Sequence, residues 1–274
     1  MKIKIVALAA ALTLCLSGLA FAGSVEVKGS TTVLPLMQKS AEAFMAQNKG
    51  VNVSISGGGS SEGAKALIDG TCDIAMMSRD MKDKEIEAAT ANGRAPKLFV
   101  VAYDCIVPIV HPGNAVKDLS VAQLQDIYAG KITNWKDVGG ADAQIVVISR
   151  DTSSGTYDCW ENKVMHDGGK KERVFPGALL QASNGAVVQA VSKNKLAIGY
   201  IGLGYLNKEI KQVSVGGVMG DATTALNKTY PVSRGLNLYT PGEPKGDAKG
   251  LVDFMLSPAG QKLADEIGFV PLKK

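Results

Sequence analysis

Three clusters of small polar residues each lie between a predicted strand and a predicted helix. They occupy residues 29–32 (Gly-Ser-Thr-Thr), 57–61 (Gly-Gly-Gly-Ser-Ser) and 153–156 (Ser-Ser-Gly-Thr). A helix N-terminus presents unpaired backbone N–H groups and partial positive charge, and Ser and Thr hydroxyls add hydrogen-bond donors. One such turn is common. Three of them, with Arg150 just before the last, predict a pocket that encloses a tetrahedral oxyanion.

The third cluster is the most specific of the three. Arg150 carries a planar guanidinium that matches two oxygens of an oxyanion. Ser154, Gly155 and Thr156 follow it and would donate N–H and O–H groups from the start of the next helix. The alternative is an ordinary helix cap beside a surface arginine. The two other clusters favour the binding site.

A fourth candidate is the run Ser78-Arg79-Asp80 after a short apolar strand. Residues in that place lie at the carboxyl end of a strand, where open α/β sheets bind ligands. Asp80 would either cap the next helix or accept the proton of a protonated oxyanion. Phosphate near neutral pH keeps a proton and sulfate does not, so a buried carboxylate would favour phosphate. Asp80, Asp104 and Asp151 are the candidate acceptors, with Asp80 in the motif itself.

The glycine-rich loop also allows an enzymatic interpretation. Residues 59–63 satisfy the G-x-S-x-G pattern of serine hydrolases, with Ser61 as the nucleophile. That chemistry would need His111 or His166 beside Ser61, and a third, orienting acid. A phosphate-binding Walker loop is excluded because Gly63 is followed by Ala-Lys. A loop closed by glycines without any ligand is the remaining alternative.

The N-terminal segment has the features of a signal peptide for export to the periplasm. Lys2 and Lys4 precede an apolar stretch at residues 5–16, and Ala-Phe-Ala at residues 20–22 predicts cleavage after Ala22. The apolar stretch is short for a membrane span, which disfavours an uncleaved anchor. Lipidation at Cys15 is disfavoured because Leu-Thr-Leu precedes it instead of small residues.

Composition excludes several other classes. The chain has 30 Lys and Arg against 26 Asp and Glu, a net charge of +4, and no basic block typical of nucleic-acid binding. Two histidines and the cysteine spacing match no metal motif, and no cofactor is expected. In an exported protein, Cys72, Cys105 and Cys159 predict one disulfide and one free thiol, with all three pairings open. Trp135 and Trp160 are expected to pack in the core.

Predicted strands and helices alternate, which indicates an α/β fold with mostly parallel sheets covered by helices. The main predicted strands are residues 25–27, 51–55, 73–77, 98–110, 145–149 and 196–201. The predicted helices are residues 34–48, 62–69, 81–92, 120–128, 157–164, 186–192 and a broken pair at 249–267.

Two segments are candidates for crossings between lobes. The apolar run at residues 98–110 is longer than an average strand, so it is either a buried central strand or one that passes between two sheets. Residues 196–204 would form the return crossing, where glycines tolerate hinge rotation. Lobe 1 would then comprise residues 23–104 and 201–274, and lobe 2 residues 105–200.

Over nearly the whole chain after residue 22, the sequence resembles the periplasmic phosphate-binding proteins of ABC transporters. The resemblance rests on five segments: residues 29–33, 56–61, 73–79, 127–135 and 150–156. It implies a two-lobed periplasmic-binding-protein fold, type II-like, with two crossing strands as the hinge and phosphate in the cleft. It also implies a monomeric, non-enzymatic protein that delivers phosphate to an inner-membrane ABC permease.

The resemblance carries ligand roles to particular positions: Thr31, Thr32, Ser60, Arg150, Ser154, Gly155 and Thr156. The chain departs from some family members after Ser78, because Arg79 stands where they have aspartate and Asp80 comes one residue later. That departure suggests Arg79 as a second positive ligand. Alternatives are another oxyanion (molybdate, tungstate or sulfate), a hydrolase using Ser61, or an adhesion or sensory module.

Overall fold

The computed structural model describes residues 23–272, so the predicted signal peptide lies outside the described residues. The strands are β1 (Ser24–Gly29), β2 (Asn52–Gly57), β3 (Ile74–Met77), β4 (Pro96–Val110), β5 (Asp118–Leu119), β6 (Val146–Arg150), β7 (Leu179–Gln181), β8 (Ala197–Gly202), β9 (Lys211–Gln212), β10 (Ser214–Val215) and β11 (Ser233–Pro241). The helices are α1 (Leu34–Gln47), α2 (Ser60–Asp69), α3 (Asp83–Ala91), α4 (Val121–Tyr128), α5 (Gly155–Trp160), α6 (Asn184–Ser192), α7 (Ala222–Leu226), α8 (Gly246–Leu256) and α9 (Pro258–Ile267).

The principal sheet has the order β2-β1-β3-β11-β4-β8-β6-β7. Strands β1, β2 and β3 pair in parallel, as do β6, β7 and β8, while β11 and β4 join the two parallel halves by antiparallel pairing. Strand β3 is buried throughout, as expected for a short apolar strand in a parallel sheet covered by helices. The predicted α/β class is confirmed.

Strand β4 links the two lobes. Its residues 96–105 pair with β11, and its residues 106–110 pair with β8. Residues of β4 accordingly belong to two hydrophobic cores, Val101 and Ala102 to the first and Ile106 onward to the second. The long apolar run is therefore a strand that leaves one lobe and enters the other, and the two-lobed fold predicted from the sequence is confirmed.

Core packing favours a return crossing later in the chain than residues 196–204. Leu203, Val213, Ala225 and Val232 all pack in the same core as residues 106–110. Pairing with the first lobe begins only at Ser233, opposite Cys105. We therefore propose that residues 203–232 belong to lobe 2, and that the hinge consists of β4 and β11. In agreement with this proposal, the glycines at residues 199, 202 and 204 lie in close packing, where an added Cβ would come within 2.7 Å of a neighbouring side chain.

Local sequence explains the helix starts that face the cleft. Ser154 caps α5 by accepting from the backbone N–H groups of Thr156 and Tyr157, and Ser183 caps α6 in the same way from Ala186. Helix α2 begins after Gly59, whose φ of 109° is a conformation that favours glycine. These turns place small polar residues at the ends of buried strands.

The cysteine prediction is wrong, since Cys72, Cys105 and Cys159 are all free and buried. Cys72 packs in a small cluster of lobe 1 with Leu67, while Cys105 and Cys159 lie in the core of lobe 2. Burial raises the pKa of the Cys72 and Cys105 thiols to about 12. Each thiol behaves as a small apolar side chain.

The two tryptophans pack as predicted. Trp160 stacks on Tyr200 with ring centroids 4.3 Å apart, and Trp135 is 2% exposed. Within residues 23–272, no helix is both long and apolar enough to cross a lipid bilayer. The same residues contain no group of His, Cys, Asp and Glu side chains arranged to hold a metal ion.

Candidate functional site

The three predicted clusters meet at the boundary between the lobes. Parallel strands end at a common sheet edge, so β1 and β3 bring Thr32 and Ser78 there, and the turn after β2 brings Ser60. From the other lobe, the turn after β6 brings Gly155 and Thr156 against them. The Oγ1 atoms of Thr32 and Thr156 lie 2.9 Å apart.

The lobe 1 hydroxyls form a connected and buried set. Ser30 Oγ donates to Ser78 Oγ over 3.0 Å, and the Ser78 backbone N–H donates to Ser60 Oγ over 3.0 Å. Ser30 Oγ also accepts from the backbone N–H groups of Thr32 and Val33, so it orients Ser78 and has no capacity left for a ligand. Ser60 and Ser78 are the hydroxyls that remain available.

Gly155 is required by the close approach of the two lobes. A Cβ at this position would lie 2.2 Å from Ser60 Oγ and 2.8 Å from Ser78 Oγ. The backbone of lobe 2 thus lies directly against the hydroxyls of lobe 1. The turn also bonds across the boundary, because the Ser61 backbone N–H donates to the Ser153 carbonyl over 3.0 Å.

Arg150 is the last residue of β6 and is only 1% exposed. Its Nε donates to the Gln181 carbonyl over 2.8 Å and its Nη2 to the Ala182 carbonyl over 3.0 Å. Nη1 is buried without a hydrogen-bond partner, and no ion pair is formed with an acidic residue in the described part of the chain. Burial lowers the pKa of this guanidinium. A buried cation with an unused donor is costly unless an anion satisfies it.

Asp104 is the predicted carboxylate that lies beside the cluster. It is fully buried, and its Oδ2 accepts from Nε and Nη2 of Arg234 over 3.0 and 2.8 Å. Arg234 also donates to Thr32 Oγ1 over 3.3 Å and to the Ser78 carbonyl over 3.0 Å. Burial raises the pKa of Asp104, while Arg234 acts in the opposite direction. The sequence analysis had not identified Arg234, which no local motif marks.

The two other candidate carboxylates lie elsewhere. Asp80 is exposed, and its Oδ1 accepts from Asn237 Nδ2 over 2.9 Å. Asp151 accepts from the Ser153 backbone N–H over 2.9 Å, as part of the turn before α5. Neither of these hydrogen bonds joins the carboxylate to Thr32 or to Arg234.

Arg79 is buried, but its charge is already paired. Its Nη2 and Nη1 lie 2.7 and 2.8 Å from the two carboxylate oxygens of Glu85, and Nη2 also donates to Ser61 Oγ over 3.2 Å. Burial would raise the pKa of Glu85, but the hydrogen bonds and charge of Arg79 outweigh it and hold the pKa below its usual range. Arg79 therefore has less capacity for a ligand than Arg150.

Asn184 is a second functional candidate that the sequence analysis missed. It is the first residue of α6, fully buried, and its Nδ2 donates to Thr31 Oγ1 over 3.3 Å and to Thr32 Oγ1 over 3.0 Å. These bonds cross between the lobes. The only local signal was its position after the cap residue Ser183, which does not distinguish a ligand-site residue from an ordinary helix start.

The hydrolase hypothesis gains no support from the geometry. Ser61 Oγ accepts from Arg79, and among the described residues it has no recorded hydrogen bond with a histidine. His111 instead accepts from the Gly113 backbone N–H over 2.9 Å in its own turn. A serine nucleophile needs a histidine base within hydrogen-bond reach.

Comparison with known proteins gives the same family from three directions. The family model for the PBP superfamily domain matches residues 19–259. The phosphate-binding protein PstS of Staphylococcus saprophyticus is 36% identical over 92% of this chain and 81% of its own, and that of Borreliella burgdorferi is 33% identical over 91% and 90%. An ABC transporter substrate-binding protein from Clostridium perfringens, solved with bound phosphate, is 38% identical with a TM-score of 0.85, over 92% of this chain and 100% of its own.

These matches each cover more than 90% of the chain, so they extend over both lobes. The fold comparison agrees, because the TM-score to the Clostridium protein covers all of that chain. The protein therefore belongs to the PBP superfamily, in the family of the phosphate-binding proteins of ABC transporters.

Proposed function

We propose that this protein binds inorganic phosphate outside the inner membrane and delivers it to an ABC permease. The observation that carries this proposal is Arg150, a buried guanidinium with an unused donor and no acidic partner in the described residues. The proposed ligand groups are those of Thr31, Ser60, Ser78, Arg150, Ser154, Gly155 and Thr156, and Thr32 would act on the ligand through Thr156. The names of the relatives support phosphate over molybdate, tungstate or sulfate.

The proposed mechanism is binding without covalent chemistry. Closure of the lobes about β4 and β11 removes water from the anion, which strengthens each charge-assisted hydrogen bond. The anion stabilises the closed form because its ligands come from both lobes, and the permease would then recognise that form. A single copy of the chain supplies the whole proposed ligand set, in agreement with a monomer.

For the negative group that meets the ligand, we propose Asp104 in place of Asp80. Asp104 is fully buried and is joined to Thr32 through Arg234, whereas Asp80 is exposed. Arg79 is assigned to the edge of the site, where it pairs with Glu85 and donates to Ser61 Oγ. This assignment shifts the proton acceptor from the loop after β3 to the hinge strand β4.

Calorimetric titration tests the proposal directly. The protein is unfolded and refolded to remove bound ions, and then titrated in parallel with phosphate, sulfate, molybdate and tungstate. We expect saturable binding of phosphate at one site per chain, and a phosphate-dependent rise in the melting temperature. Binding of another of these anions in place of phosphate would overturn the ligand assignment. Binding of none of them would overturn the site.

Export and cleavage after Ala22 are part of the same proposal. The intact mass of protein recovered from the periplasm of an expressing bacterium measures the mature N-terminus. A chain that begins at Gly23 is expected. A chain that retains residues 1–22, or begins with a lipid-modified Cys15, would contradict it.

A further inference from the structure

The orientation of the Asn184 side-chain amide is determined by its neighbours. Its Oδ1 accepts from the Gly202 backbone N–H over 3.2 Å, and a backbone N–H can only donate. The Nδ2 group must therefore face the other way, toward Thr31 and Thr32. Its two hydrogens are both used, one on each threonine hydroxyl.

The Thr32 hydroxyl can consequently act only as a hydrogen-bond donor toward its remaining partner. A hydroxyl has two acceptor lone pairs and one proton. Asn184 Nδ2 and Arg234 Nη2, at 3.0 and 3.3 Å, fill both lone pairs, so Thr32 must donate its own proton. The acceptor at 2.9 Å is Thr156 Oγ1. Since that bond is directed from Thr32 to Thr156, the proton of Thr156 is available for an anion oxygen.

A second series of hydroxyls, from Ser30 to Ser78, also has its hydrogen bonds directed one way. Ser30 Oγ accepts two backbone N–H groups at the start of α1 and must donate its proton to Ser78. The end of this series lies beside Gly155, whose Cβ would be 2.8 Å from Ser78 Oγ, and Gly155 precedes Thr156. Both series thus direct donors toward the same place.

We propose that Asn184 is a positioning residue of the anion site, which makes Thr32 and then Thr156 obligate hydrogen-bond donors. Thr156 therefore selects an anion oxygen that carries no proton, distinct from the oxygen that would give its proton to Asp104. Aspartate, which has almost the same shape, would reverse the direction when ionised, because a carboxylate only accepts. The inference rests on the proposed function, since it concerns the same site.

The test measures phosphate affinity by calorimetry between pH 8 and pH 5.5, and reports the ratio of the variant Kd to the wild-type Kd at each pH. For Asn184→Asp we expect a ratio of at least about a hundred at pH 8, because an ionised carboxylate cannot donate to the threonines and repels the anion. Burial raises the pKa of such a carboxyl, so acidification restores an O–H donor and the ratio should fall at least about tenfold.

Asn184→Ala is the second variant, in case the aspartate variant does not fold at pH 8. Thr32 then keeps one free lone pair, which can accept from the protonated oxygen of the monoanion. The ratio should be about tenfold at pH 8 and smaller at pH 5.5, where phosphate carries the additional proton. Ser183→Ala is the matched control, because it removes the cap of the same helix and leaves the Asn184 amide in place. Its ratio should be independent of pH.

The outcomes separate the two proposals. If the wild type does not bind phosphate, the proposed function fails, and this inference fails with it. If the wild type binds phosphate but the ratio for each folded Asn184 variant is independent of pH, as for Ser183→Ala, the inference alone is overturned. A ratio for Asn184→Ala that falls toward acid pH supports it, because that variant carries no charge at residue 184 and its ratio follows the protonation of the ligand alone. A fall confined to Asn184→Asp would reflect repulsion by the new charge and would also overturn the inference.

Discussion

The buried arginines of the two lobes differ in their partners. In the lobe 1 sheet, Arg234 is paired with Asp104, and Arg79 is paired with Glu85. In lobe 2, Arg150 is buried to a similar degree, yet among the described residues its side chain donates to two backbone carbonyls. Neutral hydroxyls dominate the lobe 1 face of the site, and the unbalanced positive charge comes from lobe 2.

This difference indicates that the arginines of the two lobes have different roles. The paired arginines of lobe 1 hold hydroxyls and backbone carbonyls in place, as when Arg234 contacts Thr32 and the Ser78 carbonyl. Without a bound anion, Arg150 contributes little to the free energy of unfolding, because a buried charge without a counter-charge is destabilising. Its proposed partner is the bound anion. Loss of a lobe 1 pair should therefore cost stability even without phosphate, whereas loss of Arg150 should cost mainly phosphate affinity.

The largest expected effect is on stability. Asp104→Ala leaves the buried Arg234 without its partner, which should lower the free energy of unfolding by about 3 kcal/mol or more. Denaturant titration without phosphate measures it. The matched control is Asp80→Ala, which removes an exposed carboxylate and should cost less than about 1 kcal/mol. Equal losses in the two variants would contradict the structural role of the Asp104 pair.

Arg150→Met should show the opposite pattern. We expect phosphate affinity to fall at least about thirtyfold, since loss of a buried charged partner costs about 2 kcal/mol or more. The free energy of unfolding without phosphate should fall by much less than in Asp104→Ala. Calorimetry and denaturant titration on the same preparation measure the two quantities. A variant that loses stability but keeps its affinity would refute the proposed difference between the lobes.

Gly155→Ala tests whether the lobes must approach this closely. The added methyl group would lie 2.2 Å from Ser60 Oγ, so it should hold the lobes apart and lower phosphate affinity about tenfold, with unfolding of the free protein little changed. Gly185→Ala is the control, because its added methyl group would meet no neighbour closer than 3.8 Å. Similar affinities for the two variants would show that closure tolerates a wider gap.

The smallest effect concerns an ion pair between the lobes. Lys82 Nζ lies 2.6 Å from Asp158 Oδ1, with the lysine side chain 56% exposed. Solvent screens such a pair, so Lys82→Ala should raise the phosphate dissociation rate only about twofold, and less at high salt. Stopped-flow fluorescence measures the rate. Lys39→Ala, in a pair confined to α1, should leave it unchanged. A faster rate in both variants would mean that net charge, not the inter-lobe pair, is responsible.

Most of the element order could be predicted from the sequence, because periodic apolar residues and turn residues act locally. Helix α1 and strand β3 begin or end within about one residue of their predicted bounds. The predicted single helix at residues 157–164 is instead α5 followed by a π-helical turn at Glu161–Met165. The short α7 and the edge strand β7 were missed, because neither has enough residues to display a period.

The sequence alone identified the α/β class, the family, the three hydroxyl-rich turns and the cation that precedes the last of them, since each of these is encoded by neighbouring residues. Tertiary structure decided which carboxylate lies beside the threonines, that Arg79 is paired while Arg150 is not, and that Asn184 orients two hydroxyls of the opposite lobe. The bond between Asn184 and Thr32 joins positions 152 residues apart, whereas Arg79 and Glu85 are only six residues apart. No local pattern reports the distant relations, because they arise only when β4 pairs with β11 and the two lobes come into contact.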